Sequence, residues 1–172
     1  MGSQANKKFL VGLFGIVLLA AVFALGHGNE HGHVTATVGD GTVSVDYHRP
    51  LANGRDLLSM IPAGAYWRMG ADSATTLTTD VDLQFGDTSV PKGEYVLWAH
   101  FADNDHWSLT LATEPSRRQP DPATILVELP GSVGSTSGVV EMLTIELTGQ
   151  GNNGTFTLEW GTARLTVDFT AA

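Results

Sequence analysis

Apolar and polar residues alternate in short stretches along most of the chain after residue 33. In HVTATVGDGTVSVDYH, residues 33–48, the alternation stops at Gly39-Asp40-Gly41 and then resumes. Alternation with a period of two is typical of half-buried strands, and Gly-Asp-Gly between two such stretches is typical of a hairpin turn. We therefore predict a β-hairpin here, ended by Pro50 because proline removes a hydrogen-bond donor from the ladder.

The same pattern recurs through the rest of the chain. TTLTTDVDLQFG, residues 75–86, alternates on both sides of Asp80, where we predict a break between two strands. EYVLWAHF, residues 94–101, is apolar on both faces, as is typical of a central strand. With turn signals about every 8–12 residues and no amphipathic helix between them, the pattern predicts an all-β domain. We expect an antiparallel β-sandwich, or a partly closed barrel, of about nine or ten strands.

The N-terminus has a different character. Lys7 and Lys8 precede an apolar run over residues 9–26, which ends with small residues at Ala24 and Gly26. A basic start, an apolar centre and a small-x-small end predict a secretory signal peptide. The length of the run also fits an uncleaved membrane-anchor helix.

These features divide the chain into three parts. We predict a signal peptide or membrane anchor over residues 1–26, a His/Gly linker over residues 27–33, and a single β-sandwich domain over residues 34–172. The protein is expected to be exported to the periplasm or the extracellular space, or to stay anchored to the inner membrane by residues 9–26. Contact with a membrane is expected only through that segment.

Charge and cysteine content narrow the partner classes. The formal charge is −9, and loss of residues 1–26 with their two lysines would make it −11. Because an acidic surface repels phosphate backbones, we expect no nucleic-acid partner. The chain has no cysteine, so it can form neither a disulfide nor a cysteine-linked lipid anchor.

Candidate chemistry is concentrated in residues 47–76. Three of the seven basic residues that follow residue 26 are Arg49, Arg55 and Arg68. Guanidinium groups bind carboxylate or phosphate through two parallel hydrogen bonds, and aromatic rings stack on them or on a flat ligand. We predict a ligand site lined by Tyr47, Arg49, Arg55, Trp67, Arg68 and Asp72. The alternative is that Asp46, Asp56 and Asp72 pair with the arginines and fasten a long loop to the sheet.

Histidines provide a second candidate. His27, His31 and His33 lie beside Glu30 at a spacing that can bind copper or zinc from a flexible segment, although such a tract can also be only a linker. His100 and His106, with Asp103 and Asp105 at the intervening turn, provide fewer certain ligands. No cofactor motif is present, and we expect no cofactor.

Signals for catalysis are few. The chain has no cysteine nucleophile, no G-x-S-x-G sequence, no glycine-rich phosphate loop and no H-E-x-x-H. We therefore favour a binding protein over an enzyme. In the alternative, an enzyme acting on an extracellular small molecule or glycan, Asp72 or His48 would be the base and the arginines would stabilise developing negative charge.

The residues named above also form a signature. Tyr47-His48-Arg49-Pro50, Asn53-Gly54-Arg55 and Trp67-Arg68-Met69-Gly70-Ala71-Asp72 resemble the Y-x-R-P, K-G-R and W-R-x-G-A-N pattern of the bacterial "domain of unknown function 2911" family. Further matches are Pro91-Lys92-Gly93-Glu94-Tyr95, Trp107 and Leu158-Glu159-Trp160. The resemblance covers residues 34–169.

The resemblance implies a secreted or periplasmic β-rich domain without an established activity. The chain departs from the family pattern at Asp72, where the family often has asparagine, and the added carboxylate favours an internal ion pair with Arg68. Residues and resemblance together predict a non-enzymatic binding or envelope-associated module. Its Arg/aromatic pocket is expected to take a small anionic or glycan-like ligand.

Overall fold

The computed structural model describes residues 29–55, 60–103 and 105–172 of the chain. Its eleven strands are β1 (Glu30–Val38), β2 (Gly41–Arg49), β3 (Ala65–Trp67), β4 (Thr76–Thr79), β5 (Leu83–Phe85), β6 (Thr88–Val90), β7 (Gly93–Phe101), β8 (Trp107–Ala112), β9 (Ile125–Pro130), β10 (Ser132–Gln150) and β11 (Asn153–Ala171). The predicted signal or anchor over residues 1–26 lies outside the described residues. Among the residues described, no helix is long and apolar enough to cross a membrane.

The strands form two antiparallel sheets. The first has the order β1-β2-β4-β7-β8-β9, and β3 pairs with the end of β7 beyond β4. The second has the order β10-β11-β5-β6. The chain leaves the first sheet after β4, so the break predicted at Asp80 is confirmed as the crossing between the sheets. The architecture is thus an antiparallel sandwich with more strands than expected, and it is not a closed barrel.

Strand β7 lies in the middle of the first sheet, as its doubly apolar sequence predicted. Leu97 and Ala99 point into the space between the sheets, where they are buried in the main core. Val96 and Trp98 point to the outer face and are also buried, in a small separate cluster with Ala112. A strand covered on both faces can carry apolar residues at every position, which explains why its alternation is lost.

Strand β11 doubles back on itself at Gly161. Thr155 Oγ1 donates a hydrogen bond of 2.7 Å to Asp168 Oδ1, and the Ala171 amide donates one of 2.8 Å to the Asn152 carbonyl. A straight strand would hold Thr155 and Asp168 roughly 40 Å apart. The reversal falls at Gly161, whose φ of 60° is one that glycine adopts without strain.

The first hairpin is confirmed, but its strand begins earlier than predicted. Residues 30–33, expected to be linker, are part of β1 and pair with residues 46–49 of β2. Gly32 explains the difference, because it lies directly over the Tyr47 ring, where a Cβ would come within 2.5 Å of a ring carbon. A glycine that suggests a linker in the sequence is here required by close packing of the two strands.

Candidate functional site

Arg49 joins the two sheets. Its Nε donates a 3.0 Å hydrogen bond to the Leu143 carbonyl in β10, and its NH2 donates one of 3.3 Å to Thr144 Oγ1. NH1 forms an ion pair of 2.8 Å with Glu30. The carboxylate partner is therefore Glu30 rather than Asp46, which instead contacts His31 and His33. The guanidinium thus bonds one backbone carbonyl and one hydroxyl group of β10.

The Tyr47 side chain binds the same edge of β10 as Arg49. Its buried hydroxyl accepts a 3.0 Å hydrogen bond from the Ile145 amide and donates one of 3.3 Å to the Ile145 carbonyl. Backbone bonds from Ala52 to Glu141 and from Leu143 to Pro50 continue the contact beyond β2. Tyr47 and Arg49 therefore hold β10 against the end of β2.

Arg55 and Trp67 meet at another place, around Trp160. Arg55 is exposed, and its Nε and NH2 donate hydrogen bonds of 2.8 Å to the Ala52 carbonyl and 2.6 Å to the Leu51 carbonyl. Its guanidinium carbon lies 5.5 Å from the centre of the Trp160 ring. Trp67 stacks on Trp160 with ring centres 5.3 Å apart and planes 11° apart. An exposed, fixed cation thus lies next to an aromatic pair, which we call the Arg55–tryptophan cluster.

The segment from Arg68 to Thr75 is a tightly held loop between β3 and β4. Met69 and Asp72 have φ values of 50° and 53°, in the left-handed region that non-glycine residues seldom adopt. The Thr75 hydroxyl donates a 3.0 Å hydrogen bond to the Met69 carbonyl and helps to hold this geometry. Left-handed backbone favours Asn and Asp, which accounts for the residue type at position 72.

The ion pair expected between Arg68 and Asp72 is not formed within the described part of the chain. Asp72 instead accepts a 3.1 Å hydrogen bond from Asn29 Nδ2. His48 lies on the face of β2 opposite to Tyr47 and Arg49, as its position in the strand predicts. Of the predicted site residues, Tyr47 and Arg49 lie beside β10, whereas Arg55 and Trp67 lie beside Trp160.

Two open grooves lie away from the Arg55–tryptophan cluster. One of about 350 Å³ runs along the edge of β1 beside β10 and is lined by Glu30, His31, Gly32, His33, Val34, Tyr47, Arg49, Thr144, Ile145 and Glu146. Another of about 440 Å³ lies beside β5 and the two ends of β11 and is lined by Gln84, Gly86, Asn153, Gly154, Thr155, Asp168, Phe169 and Thr170. In each groove a carboxylate is already bound by a neighbour: Glu30 by Arg49, and Asp168 by Thr155.

Tyr66, His100 and Glu128 form a polar cluster on the outer face of the first sheet. Tyr66 stacks on His100 with ring centres 4.2 Å apart, and its hydroxyl donates a hydrogen bond to Glu128 Oε1. The other Glu128 oxygen lies 3.1 Å from His100 Nδ1. This cluster could not be predicted from the sequence, because β3, β7 and β9 are far apart in the chain and come close only in the sheet. His100 thus contacts Glu128, while His106, which was grouped with it in the sequence, contacts Asp103 at 2.7 Å.

The Tyr66 hydroxyl should lose its proton at a higher pH than an ordinary tyrosine. Burial, followed by the hydrogen bond and the negative charge of Glu128, raises the pKa of Tyr66 from 10.0 to about 12. Because the folded protein holds this proton more tightly than the unfolded chain, its stability should fall as pH rises from about 10 to 12. In a titration followed by tyrosinate absorbance, Tyr66→Phe should remove the latest component and Glu128→Gln should shift it to lower pH. Superimposable curves for wild type and both variants would contradict this assignment.

Histidines near the N-terminus lie on a strand rather than on a flexible tail. His31 and His33 project from the outer face of β1, while His27 lies outside the described residues. Among the residues that the structure covers, no three His, Asp or Glu side chains are placed to hold a metal ion as they stand.

Comparison with known proteins identifies one family. The family model described as "Protein of unknown function (DUF2911)" matches residues 29–169. No curated protein and no solved structure matches the chain. The match includes every residue of the Arg55–tryptophan cluster. In the sequence, Trp160 is only one residue of the Leu158-Glu159-Trp160 match. Its contacts with Arg55 and Trp67 in the structure make it a candidate site residue.

Proposed function

Since the chain belongs to the DUF2911 family, which is described only as being of unknown function, we propose a function from the geometry of the chain itself. The protein is a non-enzymatic binding module of the bacterial cell envelope. It recognises a short, carboxylate-bearing oligosaccharide through the Arg55–tryptophan cluster. The main support for this proposal is the exposed Arg55 guanidinium, which is fixed by two backbone carbonyls and lies over Trp160.

The fixed geometry of Arg55 favours anion binding. A guanidinium has five N–H donors, and two of those on Arg55 are bonded to Leu51 and Ala52. Within the described residues the other three donors make no hydrogen bond, so they can contact a carboxylate in two parallel bonds. Because the side chain is already held, less rotamer entropy is lost when a ligand binds.

Trp67 supplies the second half of the site. It is half-buried, so part of the residue is accessible to a ligand beside the stacked Trp160, which is only 7% exposed. A flat apolar ring suits the C–H face of a sugar, and a uronic acid joins such a face to a carboxylate. The net charge of −9 disfavours long polyanions, so the ligand we assign is short and carries few carboxylates.

The predicted export of the chain is consistent with a carboxylate-bearing glycan as the ligand. The predicted signal or anchor over residues 1–26 would deliver the domain to the envelope, where acidic glycans occur. The absence of cysteine leaves folding there to core packing alone. Localisation can be tested by fractionating cells that express the full chain.

Fluorescence titration tests the proposed site. Trigalacturonate is expected to change the tryptophan emission of the wild type, and a neutral trisaccharide is not. Arg55→Gln should weaken trigalacturonate binding at least about tenfold, since a charge-assisted bidentate contact is lost. Arg164→Gln is the matched control, because Arg164 is an exposed arginine whose guanidinium is paired with Glu159 and is not part of the cluster.

Two results would overturn the proposal. One is trigalacturonate binding that is equal in wild type and Arg55→Gln. The other is no response of the wild type to trigalacturonate. Should Arg55→Gln lower stability, Arg55→Lys retains the charge without the planar fork and should show the same loss of affinity.

A further inference from the structure

Four potential metal ligands form a compact block on the outer face of the β1–β2 hairpin. In the strand register His31 lies directly opposite His48, and His33 lies directly opposite Asp46. Residues two apart on a strand share a face, so all four side chains project from the same side. Directly opposed residues have Cβ atoms about 4.5–5.5 Å apart, which is a separation that a single ion can bridge.

Contacts within the block already bring donor atoms together. Asp46 Oδ1 lies 3.3 Å from His31 Nε2 and 3.0 Å from His33 Nδ1. The rings of His31 and His48 meet edge to face with centres 5.4 Å apart. His48 Nδ1 is buried and has no hydrogen-bond partner among the described residues. Buried polar atoms usually have a partner, and a metal ion held by the block would supply one for this nitrogen.

We propose that this block binds one zinc ion, with His31, His33 and His48 as nitrogen ligands and Asp46 as the oxygen ligand. Three imidazoles and a carboxylate suit the tetrahedral preference of zinc. The site differs from a chelate on a flexible tail, because β1 and β2 set the spacing of the ligands and His27 is not needed. It is also separate from the Arg55–tryptophan cluster and does not depend on the function proposed there.

Metal binding requires a local rearrangement. As they stand, no three of the described His, Asp or Glu side chains are placed to hold a metal ion, and both imidazoles of β1 contact Asp46 Oδ1 directly. The side chains of His31, His33 and Asp46 are 57%, 53% and 44% exposed, so they can rotate without disturbing the core. Zinc would replace the His33–Asp46 hydrogen bond and the His31–Asp46 contact with coordination bonds and would tie the edge strand β1 to β2.

Calorimetric titration of the tag-free full chain with zinc chloride tests the site. We expect one equivalent to bind, and we expect thermal unfolding to shift to higher temperature in the presence of zinc. His48→Gln and Asp46→Asn should each weaken zinc binding at least about tenfold, which is the lower limit for loss of even an indirect supporting contact. Magnesium should not bind, since its preferred ligands are oxygens.

Control variants separate this site from other histidines. His106→Gln removes an exposed histidine that contacts Asp103 at a distant turn, and it should leave zinc binding unchanged. His27→Gln should also leave it unchanged. The proposal is overturned if the wild type binds no zinc, if His48→Gln and Asp46→Asn leave zinc binding unchanged, or if His27→Gln abolishes it. Circular dichroism of each variant confirms that the fold is retained.

Discussion

Replacement of Gly149 by alanine is expected to lower the free energy of unfolding by about 3 kcal/mol, at the upper end of the usual cost of overpacking. Gly149 lies in β10 where β1 crosses it, and a Cβ there would be 2.0 Å from the Thr37 carbonyl oxygen. Because the obstructing atom belongs to the backbone of another strand, it cannot move aside as a flexible side chain would. The two sheets would have to separate locally, with loss of buried contacts along β1.

Urea unfolding followed by tryptophan fluorescence measures the effect. Gly134→Ala is the matched control, since it lies in the same strand and a Cβ at that position has no neighbour within 4 Å. The control should stay within about 0.5 kcal/mol of wild type. Equal stability of Gly149→Ala and Gly134→Ala would show that β1 and β10 are not in close contact.

Removal of the Tyr47 hydroxyl should cost about 1–3 kcal/mol. In Tyr47→Phe the Ile145 amide and carbonyl lose the group that bonds both of them, while the ring stays in the core. Buried backbone groups without partners carry the full desolvation penalty, which is larger than the net gain from forming an ordinary hydrogen bond.

The matched control is Tyr66→Phe. It deletes the hydroxyl of a partly exposed tyrosine whose partner, Glu128, can bond to water instead. Its effect on urea unfolding should be about 0.5 kcal/mol or less. A Tyr47→Phe variant as stable as Tyr66→Phe would mean that the Tyr47 hydroxyl does not hold β10 to the first sheet.

The structure separates the roles of two arginines in residues 47–76, Arg49 and Arg55. The sequence offered two explanations, an anion site or the fastening of a loop, and the structure provides an observation for each. Arg49 is fastened to β10 and to Glu30. Arg55 is also held, but by carbonyls of its own loop and in an exposed position. Of the two side chains, only Arg55 combines exposure with an adjacent aromatic surface.

Local pattern accounts for the parts of the fold that were predicted correctly. The Gly39-Asp40 turn, the break at Asp80 and the central position of β7 each depend on residues adjacent in sequence. Errors occurred where distant residues decide the structure. Gly32 belongs to a strand because of Tyr47, and residues 30–33 are therefore part of β1 rather than of the predicted linker.

By itself the sequence determined the all-β class, the alternation that buries one face of each strand, and the family to which the chain belongs. Those properties follow from local propensity and period-two patterning, which act over a few residues. The tertiary structure alone decided which side chains meet. Trp160 lies 93 residues beyond Trp67 and stacks on it, and Glu128 in β9 meets Tyr66 in β3 across the two intervening strands. Such contacts depend on strand order and on the packing of two sheets, and neither is encoded in the pattern of any single segment.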